Sequence, residues 1–281
     1  MAGAKGRRRA TRRASARGLL LIYGVSAEHS TSEIAAGRAE RASSFARVAQ
    51  EYERGRPGYA PQAIAWLLGE EPLDVLDVGA GTGKLTQALV DAGHRVIAVE
   101  PLPQMRSILC SRLPGVHALE GTAEALPVAD ASVDAVTVGA AFHWFDQRAA
   151  LAEIARVLRA PGVLGLLGNR FDTTPAWVAR VREILGPPAI ERPGHWPSMQ
   201  TLAEMFAEVE DREFAHEQRI DAAGLRDLAR SRSSLAVMPE DARAAVLASL
   251  DRLWQREDGL RGRTHVTLPW RTNVRRCTRL S

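Results

Sequence analysis

The chain has 281 residues, of which 46% are hydrophobic and 25% are charged, and its net charge is +4 at pH 7. This composition is typical of a soluble globular protein, and the length allows a full α/β core with room for an insertion or a small cap. No apolar run reaches the roughly 18 residues that a membrane-spanning helix needs, so we expect no membrane span.

The positive charge lies mainly at the two ends of the chain. Residues 1–18 contain seven basic residues and residues 259–281 contain six, and neither segment contains an acidic residue. The remaining residues therefore carry a net charge of −9. An acidic body does not offer the broad basic surface of a nucleic-acid enzyme, so we expect no nucleic-acid partner.

Cysteine usage favours a reducing compartment. Cys110 and Cys277 are the two cysteines, and neither has a close-spaced partner. This spacing argues against a disulfide framework and against a metal site. We predict a cytoplasmic protein without a metal, and the sequence specifies no oligomeric state.

Residues 1–44 are rich in Arg, Ala, Ser and Gly, and they predict a disordered basic N-terminal extension. Residues 18–27 imitate a secretion signal, and a nucleic-acid-binding arm is a second alternative. We prefer a third interpretation, an over-extended gene start, with Val25 as one candidate for the true first residue.

From residue 45 onward, helical and strand-like patterns alternate. Helices are predicted at 45–52 and 61–69, separated by a break at Arg56-Pro57. Strands follow at 74–79, 94–100, 116–120, 133–138 and 163–167, with helices at 83–92, 103–112 and 146–159. This alternation predicts a parallel sheet with helices on both faces.

The alternation of strand and helix patterns ends after Arg170. Residues 173–210 look helical but Pro-rich, and a strand is predicted at 213–220. Amphipathic helices follow at 222–232 and 239–257, and residues 264–280 predict one or two strands.

The most informative segment is Val75–Lys84, where an apolar strand ends in three glycines, Gly79, Gly81 and Gly83. Alternate glycines before a helix predict a tight turn in which backbone approaches a ligand. The next strand ends in Glu100, 21 residues after Gly79. An acidic residue at this point commonly binds ribose hydroxyls, so the pattern indicates an adenosine-containing cofactor.

The glycine spacing disfavours a dinucleotide. Nicotinamide enzymes use G-x-G-x-x-G, and the third glycine of that pattern would fall at Lys84. A P-loop is excluded because the chain contains no G-x-x-x-x-G-K-[ST] sequence.

The segment VLDVGAGTGKLT resembles motif I of the class I S-adenosylmethionine-dependent methyltransferases, in a type 11-like form. The resemblance continues through VIAVEP, GTAEALPVADASVDAV, AFHWF and RVLRAPGVLGLL, in family order and spacing. AFHWF, together with the Tyr-x-x-x-Arg-Pro-x-Tyr pattern of residues 52–59, resembles the trans-aconitate methyltransferase-like branch.

The resemblance implies an α/β fold of the Rossmann-like class I methyltransferase type, with a seven-stranded, mostly parallel sheet flanked by helices. It implies one domain over residues 45–281 with its donor-binding core at 72–170. It also implies a helical cap at about 173–210 and 222–258, and C-terminal strands at about 212–221 and 264–280.

The resemblance further implies S-adenosyl-L-methionine as cofactor. Glu100 would accept the ribose hydroxyls, and Asp77 would bind the donor's amino group or instead hold the turn amides. Arg56, with Tyr52, would contact the donor's carboxylate, unless Arg56 forms a surface salt bridge. The remaining implied cofactor contacts are Gly79, Ala80, Gly81, Thr82, Gly83, Pro101, Met105, Thr122, Ala123, Glu124, Ala140, His143 and Trp144.

Three of these positions keep alternatives open. Many relatives have Asp where Thr122 stands, which leaves the adenine contact to Thr122, Ala123 or Glu124. Met105 fits beside the adenine or simply in the core. His143 is the candidate general base, or it only orients its loop, because a carboxylate nucleophile would need no base.

The resulting hypothesis is a methyltransferase that acts on a small-molecule acceptor through an oxygen nucleophile such as a carboxylate. The alternatives are a noncatalytic S-adenosylmethionine-binding regulator and an NAD-dependent oxidoreductase, which the spacing disfavours. A nucleic-acid methyltransferase is disfavoured because the chain has neither an Asn/Asp-Pro-Pro-Tyr nor a Pro-Cys motif.

Overall fold

A computed structural model describes residues 48–192 and 194–280. The predicted N-terminal extension, including Val25, and the predicted helix start at residues 45–47 lie outside the described residues.

The described chain forms one seven-stranded sheet in the order β3-β2-β1-β4-β5-β7-β6. Five strands run parallel, and β7 is antiparallel to both β5 and β6. The strands are β1 (Asp74–Val78), β2 (Arg95–Val99), β3 (His117–Leu119), β4 (Val133–Gly139), β5 (Leu158–Phe171), β6 (Phe206–Ile220) and β7 (Val266–Arg279). The predicted Rossmann-like, mostly parallel, seven-stranded sheet is confirmed.

Helices flank the sheet and agree with most of the predicted positions. They are α1 (Ala49–Gly55), α2 (Pro61–Leu68), α3 (Lys84–Asp91), α4 (Pro103–Arg112), α5 (Gln147–Val157), α6 (Ala176–Leu185), α7 (Met199–Leu202), α8 (Ala222–Arg230), α9 (Ser233–Ala236) and α10 (Glu240–Arg256). None of the helices in the described part of the chain has both the length and the apolar character that a membrane crossing needs.

The central strands are buried on both faces. All residues of β1 after Asp74 are buried, and β4 is buried at five of its seven positions. Such continuous apolar runs are typical of parallel strands covered by helices on both sides. Helix α5 begins at the Asp146 side chain, which accepts from the Ala149 amide at 3.1 Å, and it buries Leu151 and Ile154 against the sheet.

One boundary of the predicted C-terminal strands was wrong, and the last strand agrees with its prediction. Strand β6 begins at Phe206, so residues 206–210 are strand rather than helix. Residues 266–279 form one strand. The Glu-rich segment 208–213 carries residues with helical preference, but pairing with the Arg-rich β7 overrides that preference.

Charge pairing holds β6 against β7. Arg275 binds the Asp211 carboxylate through both Nε and Nη2, at 2.8 and 2.7 Å, and Glu213 lies within 4.0 Å of Arg271. The ladder shifts register between Ala207 and Glu210, and Glu208 has a positive φ of 50° there. The basic C-terminal segment is therefore partly neutralised by the acidic strand beside it.

A second apolar cluster lies at the carboxyl end of β5. Phe171 and Trp270 stack there with ring centroids 4.5 Å apart, and α6, α8 and α10 pack around them. Helix α1 rests on α8 at Gly55, where an added Cβ would lie 2.2 Å from the Leu228 backbone nitrogen.

We expect Gly55→Ala to lower the free energy of unfolding by about 1–3 kcal/mol, because the new methyl group overlaps the backbone of α8. Urea denaturation gives the difference. Gly58→Ala is the matched control, since a Cβ there meets no atom within 4 Å and its effect should stay below about 1 kcal/mol. Equal stability of the two variants would contradict the close contact.

Candidate active site

The predicted glycine turn connects β1 to α3 at the carboxyl edge of the sheet. Gly79 and Gly83 have φ of 68° and 86°, a region that L side chains rarely adopt. A Cβ at Gly79 would lie 2.7 Å from the Ala141 Cβ, whereas one at Gly81 would meet open space. The turn therefore packs tightly at one end and leaves room over its middle.

Glu100 follows β2 and folds back onto this turn. Its side chain is buried, and its Oε2 accepts from the Gly81 amide while Oε1 accepts from the Leu102 amide, both at 2.8 Å. Burial is the main cause that raises the pKa of this carboxyl, and the two amides oppose it. Each oxygen keeps a second lone pair for a further donor.

Asp77 lies at the carboxyl end of β1, directly before the turn, and is fully buried. It accepts from the Thr86 hydroxyl at 2.6 Å and from the Thr137 hydroxyl at 3.3 Å. Burial raises the pKa of Asp77 to about 7. Its side chain thus holds β1, β4 and α3 together through hydroxyl groups.

Two further turn residues, Ala80 and Thr82, are also buried. The Thr82 hydroxyl has no hydrogen-bond partner among the described residues, and its carbonyl accepts from Arg112 Nη1 at 2.8 Å.

The loop after β3 contains the residues predicted to meet the adenine. Ala123 is buried and belongs to the main apolar cluster, whereas Thr122 is exposed. The Glu124 Oε1 accepts from the Asp146 amide at 2.8 Å, which fixes this loop to the start of α5. Met105 on α4 is buried, as both of its interpretations require, and Pro101 is exposed.

The chain turns sharply after β4. Ala140 has a positive φ of 54°, and a short 3-10 helix follows at Phe142–Trp144. The His143 ring is half-buried and lies 4.5 Å from the Trp144 ring and 4.8 Å from the His195 ring, measured between centroids. Phe142 and Phe145 are buried and pack in the main apolar cluster.

Tyr52 and Arg56, from α1 and the residue after it, lie beside the turn. The Arg56 guanidinium lies 5.2 Å from the centre of the Tyr52 ring. Arg56 donates to the Ser231 hydroxyl at 2.9 Å and to the Ser231 carbonyl at 3.1 Å. The alternative of a surface salt bridge for Arg56 was wrong, because no carboxylate of the described residues lies within 4 Å of it.

Two adjoining pockets lie along this edge of the sheet. The first, over the turn, is lined by Asp77, Gly79 and Ala80. The second contains Arg56 and Ala140. Tyr52, Tyr59 and Lys84 line both pockets.

Several residues of the second pocket were not predicted from the sequence: Asn169, Ile190, His195, Arg232 and Trp270. Asn169 directly follows the buried run of β5, a position that could have signalled a site residue. His195 and Arg232 come from connecting segments without a motif, and only the fold brings them here.

The described residues contain neither a disulfide nor a grouped set of metal ligands. Cys110 is exposed and Cys277 is buried, and both are free thiols. Within residues 48–192 and 194–280, no three His, Cys, Asp or Glu side chains are grouped as a metal site would require.

Known proteins are similar to this chain in sequence and in fold. Residues 76–166 match the methyltransferase domain family. An uncharacterised methyltransferase of Mycobacterium tuberculosis is 40% identical over 244 residues, 86% of this chain and 98% of that protein. The malonyl-[acyl-carrier protein] O-methyltransferase of Methylococcus capsulatus is 40% identical over 103 residues, 34% of this chain and 38% of that protein. A solved structure described as a candidate type II methyltransferase, from Anaeromyxobacter dehalogenans, aligns with a TM-score of 0.58 and 25% identity, over 79% of this chain and 97% of that chain.

Fold, glycine turn and relatives together define an enzyme that transfers methyl groups. The chain belongs to the class I S-adenosylmethionine-dependent methyltransferase family and contains a type 11 methyltransferase domain. The narrower trans-aconitate methyltransferase-like branch stays a prediction.

The raised pKa of Asp77 makes stability depend on pH. The folded state binds this proton more tightly than the unfolded chain does. The resulting stabilisation of the folded state is complete below about pH 4, and it is lost as the pH rises through about 7. For the wild-type protein we expect the free energy of unfolding to fall by roughly 2–3 kcal/mol between pH 5 and 8. In Asp77→Asn this fall should be absent.

Urea denaturation at several pH values measures this decline. Asp91→Asn, at an exposed carboxylate of α3, is the control and should keep the wild-type slope. Parallel slopes for wild type and Asp77→Asn would show that Asp77 is not protonated in the folded state.

Proposed function

We propose that this protein transfers a methyl group from S-adenosyl-L-methionine to a small-molecule acceptor. The observation that carries the proposal is the buried Glu100 carboxylate, which lies against the middle of an open glycine turn. In this proposal residues 72–170 form the donor-binding core, and residues 173–205 and 222–258 form a cap over the acceptor. We place the protein in the cytoplasm, where the donor is made.

The residues around the turn fit an adenosine-containing donor. Glu100 has one free lone pair on each oxygen, which suits a pair of ribose hydroxyls. The space over Gly81 is open, and a side chain at this position would fill it. Asp77 would accept from the donor's amino group, directly or through water, and Arg56 beside Tyr52 would bind its carboxylate.

The loops that follow β3 and β4 complete the donor site in the proposal. Ala123, Glu124 and Met105 would line the adenine, with Thr122 and Pro101 at the rim. Ala140, His143 and Trp144 would lie near the methionine part. The contact of Glu124 with the Asp146 amide supports this arrangement, because it holds the adenine loop beside the β4 loop.

When bound, the donor supplies an electrophilic methyl group on a sulfonium. The protein then has to align the acceptor and exclude water, and it needs no nucleophile of its own. His143 would take the proton from a hydroxyl or enol acceptor, since an imidazole ring can act as a general base at neutral pH. A carboxylate acceptor would leave His143 with a positioning role only.

An oxygen atom as the acceptor is supported by one relative. The protein of Methylococcus capsulatus is named an O-methyltransferase, and it shares 40% identity over 103 residues. We therefore propose an oxygen nucleophile, such as a carboxylate, as the methylated group.

Glu100→Ala should weaken the binding of S-adenosylhomocysteine at least about tenfold, because it removes charged acceptors from the ribose. Isothermal titration calorimetry measures the affinity. Glu120→Ala removes an exposed carboxylate that pairs with Arg106 and should bind like wild type. Folded wild-type protein that binds NADH but not S-adenosylhomocysteine would indicate an oxidoreductase instead.

Transfer itself can be tested with radiolabelled S-adenosylmethionine and a cell metabolite extract. We expect wild-type protein to transfer label to a small organic product. Glu100→Ala should form much less labelled product when the donor concentration is below the dissociation constant of the variant for the donor. Mass spectrometry of the labelled fraction identifies the acceptor. Tight donor binding without any labelled product would favour the noncatalytic regulator.

A further inference from the structure

A buried guanidinium group lies in the second pocket without a counterion. Arg232 is 5% exposed, and its Nη2 donates to the Gly186 and Pro187 carbonyls at 3.0 and 2.7 Å. No carboxylate of the described residues lies within 4 Å of it. Two carbonyl dipoles hold the side chain in place, but they do not neutralise its charge.

The charges around Arg232 are mainly positive. Arg56, Arg192 and Arg182 all act to lower the pKa of Arg232, while Glu191 alone acts to raise it. Glu191 is already paired with Arg182. Burial first, and then Arg56, lower the pKa of Arg232 to about 9.

Such an arrangement is unfavourable in the absence of an anion. Burying a charge without a partner destabilises the folded protein, and an anion that binds to it with good geometry offsets part of this cost. Guanidinium groups bind carboxylates and phosphates through paired hydrogen bonds, which makes an oxyanion the matching ligand.

Neutral polar groups of the same pocket could complete the contacts. His195 is 4% exposed, and neither of its ring nitrogens has a hydrogen-bond partner among the described residues. Burial, followed by the charge of Arg192, lowers the pKa of His195 to about 4, so the ring is neutral at pH 7 and carries one donor. A buried, unpartnered donor in the same pocket as a buried cation can add a hydrogen bond to an anionic ligand.

Arg232 and the glycine turn line different, adjoining pockets. The pocket over the glycine turn contains Asp77, Gly79 and Ala80 and no arginine, whereas Arg232 lines the adjoining pocket with His195 and Asn169. In the proposed function the donor lies over the glycine turn and reaches the second pocket at Arg56 and Ala140, and the remaining lining, which includes Arg232 and His195, is left to the acceptor.

We propose that Arg232 anchors the methyl acceptor through an oxyanion group, a carboxylate or a phosphate, with His195 as a second contact. This inference rests on the proposed function and narrows its substrate class to small organic anions. Arg232 is a specificity-determining residue in this scheme and does not take part in the transfer step.

The first experiment compares matched anionic and neutral compounds on wild-type protein saturated with S-adenosylhomocysteine. The pairs are hexanoate with hexanamide, cinnamate with cinnamamide, and phenyl phosphate with phenol. We expect at least one anion to raise the melting temperature by about 2 °C or more above its neutral partner. The pair that responds distinguishes carboxylate from phosphate.

The second experiment repeats the measurement with Arg232→Gln, which keeps a hydrogen-bond donor for the loop carbonyls but removes the charge. We expect the affinity for the responding anion to fall about tenfold or more, and the affinity for S-adenosylhomocysteine to stay unchanged. Arg180→Gln is the matched control, because Arg180 is exposed and pairs with Glu257 on the surface.

The outcomes separate this inference from the proposed function. If S-adenosylhomocysteine does not bind wild-type protein, the proposed function fails. If it binds but no anion exceeds its neutral partner, the anionic acceptor alone is overturned. A loss of S-adenosylhomocysteine affinity in Arg232→Gln would assign Arg232 to the donor and would also overturn the inference.

Discussion

Two carboxyl groups buried at neighbouring strand ends organise the site on which the rest of the structure depends. Asp77 holds the end of β1 through threonine hydroxyls from α3 and β4, and Glu100 holds the middle of the glycine turn through the Gly81 amide. Burial raises the pKa of both groups. The protein tolerates these desolvated acids because each accepts at least two hydrogen bonds, and the turn that they hold is open at Gly81.

The architecture was readable from the sequence where local patterns decide it. Strands β1 to β4 are short, and the turn requires glycine at Gly79 and Gly83, so spacing alone predicted both the turn and the position of Glu100 at the end of the next strand. Strand β6 was misjudged at its start because its acidic residues favour helices in isolation, and only the partner strand makes them extended.

The second pocket could not be predicted for a different reason. His195 and Arg232 are 37 residues apart in segments without periodicity, and they meet Tyr59 and Asn169 only after the sheet has formed. Even Arg56, whose motif was recognised, has a partner, Ser231, that lies 175 residues away. Long-range contacts of this kind cannot be predicted from a single sequence, because no local motif marks the residues that make them.

The two outer strands of the sheet also bear on how the protein behaves in a crowded solution. An unpaired strand edge is a template for pairing with another chain. Among the described residues, one edge of the sheet is β3, with three residues, and the other is β6, which is interrupted at Glu208 and carries exposed acidic side chains. Both edges therefore disfavour edge-to-edge pairing between the sheets of two molecules. The acidic residues of β6 that pair with the arginines of β7 also oppose aggregation in this way.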